Sequence, residues 1–200
     1  MRHRRKGRVL GRSPSHRKAL YRNLASALFL TERAKDDYLD EKQAPKVTGR
    51  IITTLPKAKE VRPLVERCIR IACAAQQALD DARPLGTTAE RNSDAWRTWR
   101  KSDKWRKWAA AMSPVVLARR RLVRLLGNKE AAKLCFDVVA PRFVDRAGGY
   151  TRIMRLAVPR LGDAGTRAIL EFVGVRDRVA RKSQAPTFET EGSKPAEART

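Results

Sequence analysis

Residues 54–79 read TLPKAKEVRPLVERCIRIACAAQQAL, and the fold is decided in this stretch. Ala58, Val61, Val65, Cys68, Ala72, Ala75 and Leu79 recur at alternating steps of three and four. That is the period of one helix face, and a single apolar stripe on a charged helix packs against other elements of the same domain. Thr54 stands where an N-cap belongs, with Pro56 in the first turn. Pro63 removes one backbone donor from the helix interior and is expected to bend it. Arg83-Pro84-Leu85-Gly86 ends the helix. Just before it, Arg50–Leu55 (RIITTL) is a short β-branched run that reads as a strand.

Working outward toward the N-terminus, Ser13-Pro14-Ser15 opens another helix, with Leu20, Leu24, Ala27 and Leu28 at helical spacing. The segment between, residues 34–49 (AKDDYLDEKQAPKVTG), carries four acids, a proline and a glycine and reads as an exposed loop. Toward the C-terminus, Val115–Leu126 is a basic amphipathic helix closed by Gly127-Asn128. A following helix repeats Ala132, Cys135, Phe136 and Val139 and stops at Pro141. Arg142–Thr151 leads into a hairpin whose predicted strands are Thr151–Val158 and Arg167–Val173, joined through Pro159–Gly165. From Arg176 on, the chain is polar and aperiodic and is expected to be a flexible tail.

Residues 85–113 are different in kind. Trp96, Trp99, Trp105 and Trp108 lie within thirteen residues, interleaved with Arg97, Arg100, Lys101, Lys104, Arg106 and Lys107. On one continuous helix the two tryptophan pairs would face roughly opposite ways. Two readings stand: indoles and guanidiniums that stack on bases, or a short helical hairpin whose tryptophans pack on each other or on the domain. A helix over 94–111 that docks outside the domain's own core is the expectation.

Charge narrows the function. The 200 residues carry a formal net charge of +24, from 45 Lys and Arg against 21 Asp and Glu. The imbalance is clustered: residues 1–31 hold nine Lys/Arg and no acid, the first being Glu32. Arg2, Arg4, Arg5, Lys6, Arg8 and Arg12 form an arm too poor in apolar side chains to fold alone. Guanidiniums pair with phosphates in a two-bond fork, so such an arm orders along nucleic acid. His16, Arg17 and Lys18 then sit in the first turn of a helix, with Arg22 one turn on. Cations there oppose the helix dipole unless phosphate faces them.

Other classes lack their residues. There is no glycine-rich phosphate loop, HExxH, GxSxG or paired-cysteine motif, so neither catalytic residues, a metal site nor a cofactor is expected. The odd set Cys68, Cys73 and Cys135 reads as buried reduced thiols, and hence a cytoplasmic protein. No apolar run approaches membrane-spanning length. The acid-free start mimics a transit peptide, but Gly7, Gly11 and Pro14 interrupt any amphipathic helix there. A nucleoid-type DNA-binding architectural protein is the alternative reading, although no internal repeat suggests paired half-sites. An RNA-processing enzyme would need a catalytic constellation that is not found.

Three blocks carry a resemblance: MRHRRKGRVLGRSPSHRKALYRNLASAL, TTLPKAKEVRPLVE, and ARRRLVRLLGNKEAAKLCFDVVAPRFVDRAGGYTRI. Together they closely resemble the bacterial large-subunit ribosomal protein family numbered seventeen. The resemblance implies an α/β domain of the α+β kind: helices on a short mixed β-sheet with a C-terminal hairpin, plus an extended basic N-terminal arm. It implies a structural constituent of the large ribosomal subunit, bound to large-subunit (23S) rRNA beside neighbouring ribosomal proteins near the rim of the peptide exit tunnel. Neither a membrane nor a small-molecule substrate is implied. Matching motifs carry RNA contacts to Arg2, His3, Arg4 and Arg5; to Ser15, His16 and Arg17; and to Lys57 and Lys59. In the last block they fall on Arg142, Arg146, Gly148, Gly149, Tyr150, Thr151 and Arg152. The expected division is an arm over 1–12, a domain over 13–175 and a tail over 176–200. Segments 34–49 and 85–112 depart from the family pattern and read as insertions.

Overall fold

The computed structural model describes residues 7–34, 36, 38 and 44–174. Helix α1 (Pro14–Leu30) starts as the sequence predicts, with the Ser13 hydroxyl accepting from the His16 amide. Strand β1 (Arg50–Thr54) runs directly into α2 (Leu55–Ala74), and α3 (Gln76–Ala82) extends it. Then come α4 (Asp94–Lys101), α5 (Asp103–Leu126), α6 (Lys129–Leu134), β2 (Thr151–Arg155) and β3 (Arg167–Phe172). The result is an α+β domain in which helices pack on one small sheet.

The α2 stripe is the centre of the core. Ala58, Val61, Val65, Cys68, Ala72 and Ala75 are buried, and Leu79 packs on the same cluster. Burying one valine side chain fully contributes roughly 1.5–3 kcal/mol, so Val61 and Val65 together add about 3–6 kcal/mol to the core. Thr54 occupies the N-cap position without a side-chain bond. Pro63 lies on the exposed side, where its missing donor leaves the helix continuous. The interruption comes instead at Ala75, whose φ of −99° and ψ of −3° separate α2 from α3.

In α1 the buried face is rotated from the predicted one. Ala25, Ser26, Leu28 and Phe29 are buried, Leu20 and Leu24 are half-buried, and Ala27 is exposed. Ser26 can face inward because its hydroxyl donates to the Leu126 carbonyl at 3.1 Å. This satisfies a carbonyl at the end of α5, so the polar side chain costs little there.

The sheet order is β1-β3-β2, and both pairings are antiparallel. This corrects the expected mixed sheet. β1 and β2 do run parallel to each other, but β3 lies between them, so no parallel ladder forms. Both strands of the hairpin are shorter than predicted. Leu156 still donates to Arg167, but the chain then peels away toward Pro159, which has no donor for a ladder.

Segment 94–111 is also corrected. It is two helices, not one, and the second continues through Pro114 to Leu126. Ser102 makes the break: its amide and its hydroxyl both donate to the Trp99 carbonyl, at 3.0 and 2.6 Å, which closes α4. The turn brings Trp99 against Trp108, with ring centroids 5.4 Å apart in an edge-to-face arrangement. Trp99 Nε1 also donates to the Leu85 carbonyl at 3.2 Å. Trp108, Val115 and Leu122 are spaced by seven, so Trp108 continues the inward face of α5. All four indoles are half-buried. The segment therefore packs on the domain as a satellite cluster at its edge, and the hairpin reading describes it better than a free-standing helix.

Gly127 closes α5 with a φ of 74°, and Asn128 caps α6 by accepting from Glu130 and Ala131. The chain does not run helically to Pro141 in one form. It passes through a π turn over Cys135–Val139 and a 3-10 turn over Ala140–Phe143. Buried Gln76 donates to the Phe136 carbonyl at 2.8 Å, and so satisfies an acceptor within the wider turn.

Candidate nucleic-acid interface

Three basic regions emerge, the first two assembled from segments distant in sequence. The first surrounds the start of α1. Residues 1–6, with the predicted contacts Arg2, His3, Arg4, Arg5 and Lys6, lie outside the described residues. At the end of the expected arm, Val9–Arg12 form a turn in which the Arg12 amide donates to the Val9 carbonyl. Gly11 permits it with a φ of 62°, and Gly7 just before it has a φ of 91°. Arg8 reaches Glu60 at 3.1 Å, and so draws this turn toward the start of α2, where Lys57 and Lys59 stand. Arg12 Nη1 lies 2.7 Å from His16 Nε2, and its Nε has no hydrogen-bond partner. Arg17 donates to the Arg8 carbonyl. Ser15 is exposed, 3.4 Å from the Ser13 hydroxyl. Arg22, one turn further, donates to the Arg124 carbonyl at 3.2 Å, which places the C-terminal turn of α5 beside this patch. No acid occupies the first turn of α1, so its cations and the positive end of the helix dipole together present an anion-binding end.

The second region is a cleft of about 670 Å³ between the sheet edge and the 3-10 turn. Arg50, Arg142, Arg146 and Arg152 line it, along with Glu32, Asp145 and Glu171. Arg142 grips Glu32 with a fork of 3.1 and 2.6 Å. The Glu32 side chain is only 6% exposed while Arg142 stays 47% exposed. Arg152 pairs with Glu171, which is likewise shielded. The carboxylates hold both guanidiniums in place, and each arginine stays nearly half exposed, at 47% and 44%.

The third region is the Gly148–Thr151 turn. Arg146 Nε donates to the Gly148 carbonyl at 3.0 Å. A Cβ on Gly148 or Gly149 would meet no atom within 4 Å, so backbone is open to approach there, and Gly149 has a φ of 66°. Tyr150 and Thr151 are buried. The Tyr150 ring packs on Phe143 at 5.3 Å, and burial pushes its phenol pKa up, with Cys73 and Glu66 adding to the effect. These two residues position the turn from inside, while Arg146 and the glycines form its outer surface.

Sequence reasoning missed Glu66, Arg67 and Arg70 on α2, which line a smaller cleft beside Gly148 and Tyr150. Two arginines three apart on the polar side of α2 were a visible signal. Their closeness to a turn some 80 positions away in the chain was not. Among the described residues, no group of three His, Cys, Asp or Glu is arranged to hold a metal, and no helix is long and apolar enough to cross a membrane.

Residues 20–173 match the family described as Ribosomal protein L17. A large ribosomal subunit protein bL17 from Rhodopirellula baltica is 64% identical over 189 residues, which covers 94% of this chain and 89% of that protein. The bL17 protein of Nitratidesulfovibrio vulgaris is 36% identical over 191 residues, 96% of this chain and all of that protein. That of Thermomicrobium roseum is 35% identical over 173 residues, 86% of this chain and 99% of that protein. The family match spans the whole helical core and the sheet, so this chain belongs to the ribosomal protein L17 family.

Proposed function

We propose that the chain binds large-subunit rRNA through the start of α1, the arginine cleft and the Gly148–Gly149 turn, with residues 2–6 continuing the first of these into the RNA. As a member of its family the chain is a structural component of the large ribosomal subunit and resides in the ribosome, in the cytoplasm. The finer reading is that it lies beside neighbouring ribosomal proteins near the rim of the peptide exit tunnel and has no catalytic role. In this reading Arg8, Arg12, His16, Arg17, Arg22, Lys57 and Lys59 take phosphates. Arg142, Arg146 and Arg152 do the same around the cleft, and Ser15, Gly148 and Gly149 let backbone approach closely. Tyr150 and Thr151 serve by holding the turn.

The observation that carries the proposal is the first turn of α1, where three consecutive basic residues, His16-Arg17-Lys18, stand at the positive end of the helix dipole with no acid present. In water this arrangement is unfavourable against the helix dipole, and a phosphate reverses the sign. The test is retention of the full chain on 23S rRNA between about 50 and 200 mM salt. Neutralising six to ten phosphates predicts a loss of about 10³–10⁵ in affinity over that range, taking B-DNA slopes as a guide. R12Q/R17Q/R22Q is expected to flatten the slope by about two to three. Equal affinity for duplex DNA of the same length, with an unchanged slope in the variant, would favour a DNA-binding architect instead.

A further inference from the structure

The corner between α4 and α5 is a basic and aromatic surface separate from the three regions above. Residues 94–107 hold six Lys/Arg and two acids. Both acids are engaged within their own helices, Asp94 with Arg97 at 3.3 Å and Asp103 with Arg106 at 3.5 Å. Arg100, Lys101, Lys104 and Lys107 remain without an acidic partner among the described residues, and all are exposed. The Arg100 guanidinium lies over the Trp96 ring at 5.0 Å and over the Trp105 ring at 5.7 Å. It therefore fixes two half-buried indoles relative to one another, while Trp99 and Trp108 tie the corner to the domain. Rings held in this way lose little conformational freedom on binding.

We propose that this corner is a second RNA-binding surface, at which an unpaired base of rRNA stacks on the Trp96–Trp105 indoles and flanking phosphates meet Lys101, Lys104 and Lys107. The inference rests on the reading that the chain binds rRNA. Charge selects the occupant. A protein partner would need its own concentrated acidic patch to match four unpaired cations, whereas any single-stranded RNA supplies phosphates at regular spacing and π faces between them. Base stacking on aromatic side chains is the usual mode for unpaired RNA.

Two measurements on the full chain test this. In ultraviolet-irradiated large subunits containing the protein, Trp96 or Trp105 is expected to carry an rRNA nucleotide. In solution, K101Q/K104Q/K107Q is expected to lower the salt slope of 23S rRNA binding by about two, at roughly 0.7 per phosphate for single strands. Its thermal unfolding should be unchanged, since these lysines are exposed. R12Q/R17Q/R22Q serves as the comparison. An unchanged slope in the lysine variant beside a reduced one in the α1 variant overturns the second surface and leaves the rRNA reading intact. Unchanged slopes in both remove the two together. A crosslink from this corner to a neighbouring protein, with no nucleotide on either indole, also overturns the proposal and makes the partner a protein.

Discussion

Glu66 on α2 holds Thr151 on β2 at two points, accepting from its amide at 2.9 Å and from its hydroxyl at 2.7 Å. The same carboxylate accepts from the Tyr150 amide at 3.1 Å. One side chain thus satisfies two buried amides at the start of a strand and fixes where the glycine turn leaves the domain.

Replacing Glu66 by Ala leaves both amides unpaired. At about 1–3 kcal/mol for each unsatisfied buried group, the expected loss of stability is roughly 2–6 kcal/mol. Glu66→Gln keeps one acceptor oxygen and should lose less. Denaturant unfolding of the two variants checks the order; equal losses would mean that the hydrogen bonds are not what matters.

Gly49 and Gly148 should respond oppositely to alanine. Gly49 has a φ of 71°, and a Cβ there would lie 2.8 Å from Glu32 Oε1, an atom already fixed by Arg142. Gly49→Ala is expected to cost at least about 1–2 kcal/mol from backbone conformation alone. Gly148→Ala meets nothing within 4 Å and should stay within about 0.5 kcal/mol. Its rRNA affinity then reports on backbone approach separately from folding.

The Trp99–Trp108 contact should appear as a coupling energy. Edge-to-face pairs contribute about 0.5–1.5 kcal/mol beyond area burial. A double-mutant cycle on W99A and W108A, read by thermal unfolding, is expected to give a value in that range. Strict additivity would show that the two rings do not act as a pair.

The thiols should be slow to react in the native state. Burial pushes the Cys68 thiol up to about 12 and raises Cys135 well above the ordinary value, with the neighbouring thiols adding to it. At pH 8, iodoacetamide should modify Cys73 first, since it is the less buried of the three. The linkage has a definite sign. Unfolded thiols ionise at lower pH than the folded ones, so the contribution is complete below about pH 9 and is lost as pH rises toward 12. Unfolding midpoints measured from pH 8 to 11 should fall.

Some of the fold was legible because its causes are local. The α2 stripe needs only its spacing, and the ends of α1 and α6 need only Ser13-Pro14 and Gly127-Asn128, since caps act within a few residues. The basic start of α1 was equally plain, because charge along a chain needs no partner to be counted. Tertiary structure decided what depends on distant partners. α1 turned its face so that Ser26 could reach Leu126, a contact no local pattern encodes. The tryptophan segment folded at Ser102 because two half-exposed indoles gain more from each other and from Leu85 than from a straight helix. Position 66, one of two acids on a basic helix, carries no local sign of its partners, the Tyr150 and Thr151 amides at the start of β2. Periodicity reveals which face of an element is apolar, but the unsatisfied polar group that selects a particular neighbour exists only once the chain has come together.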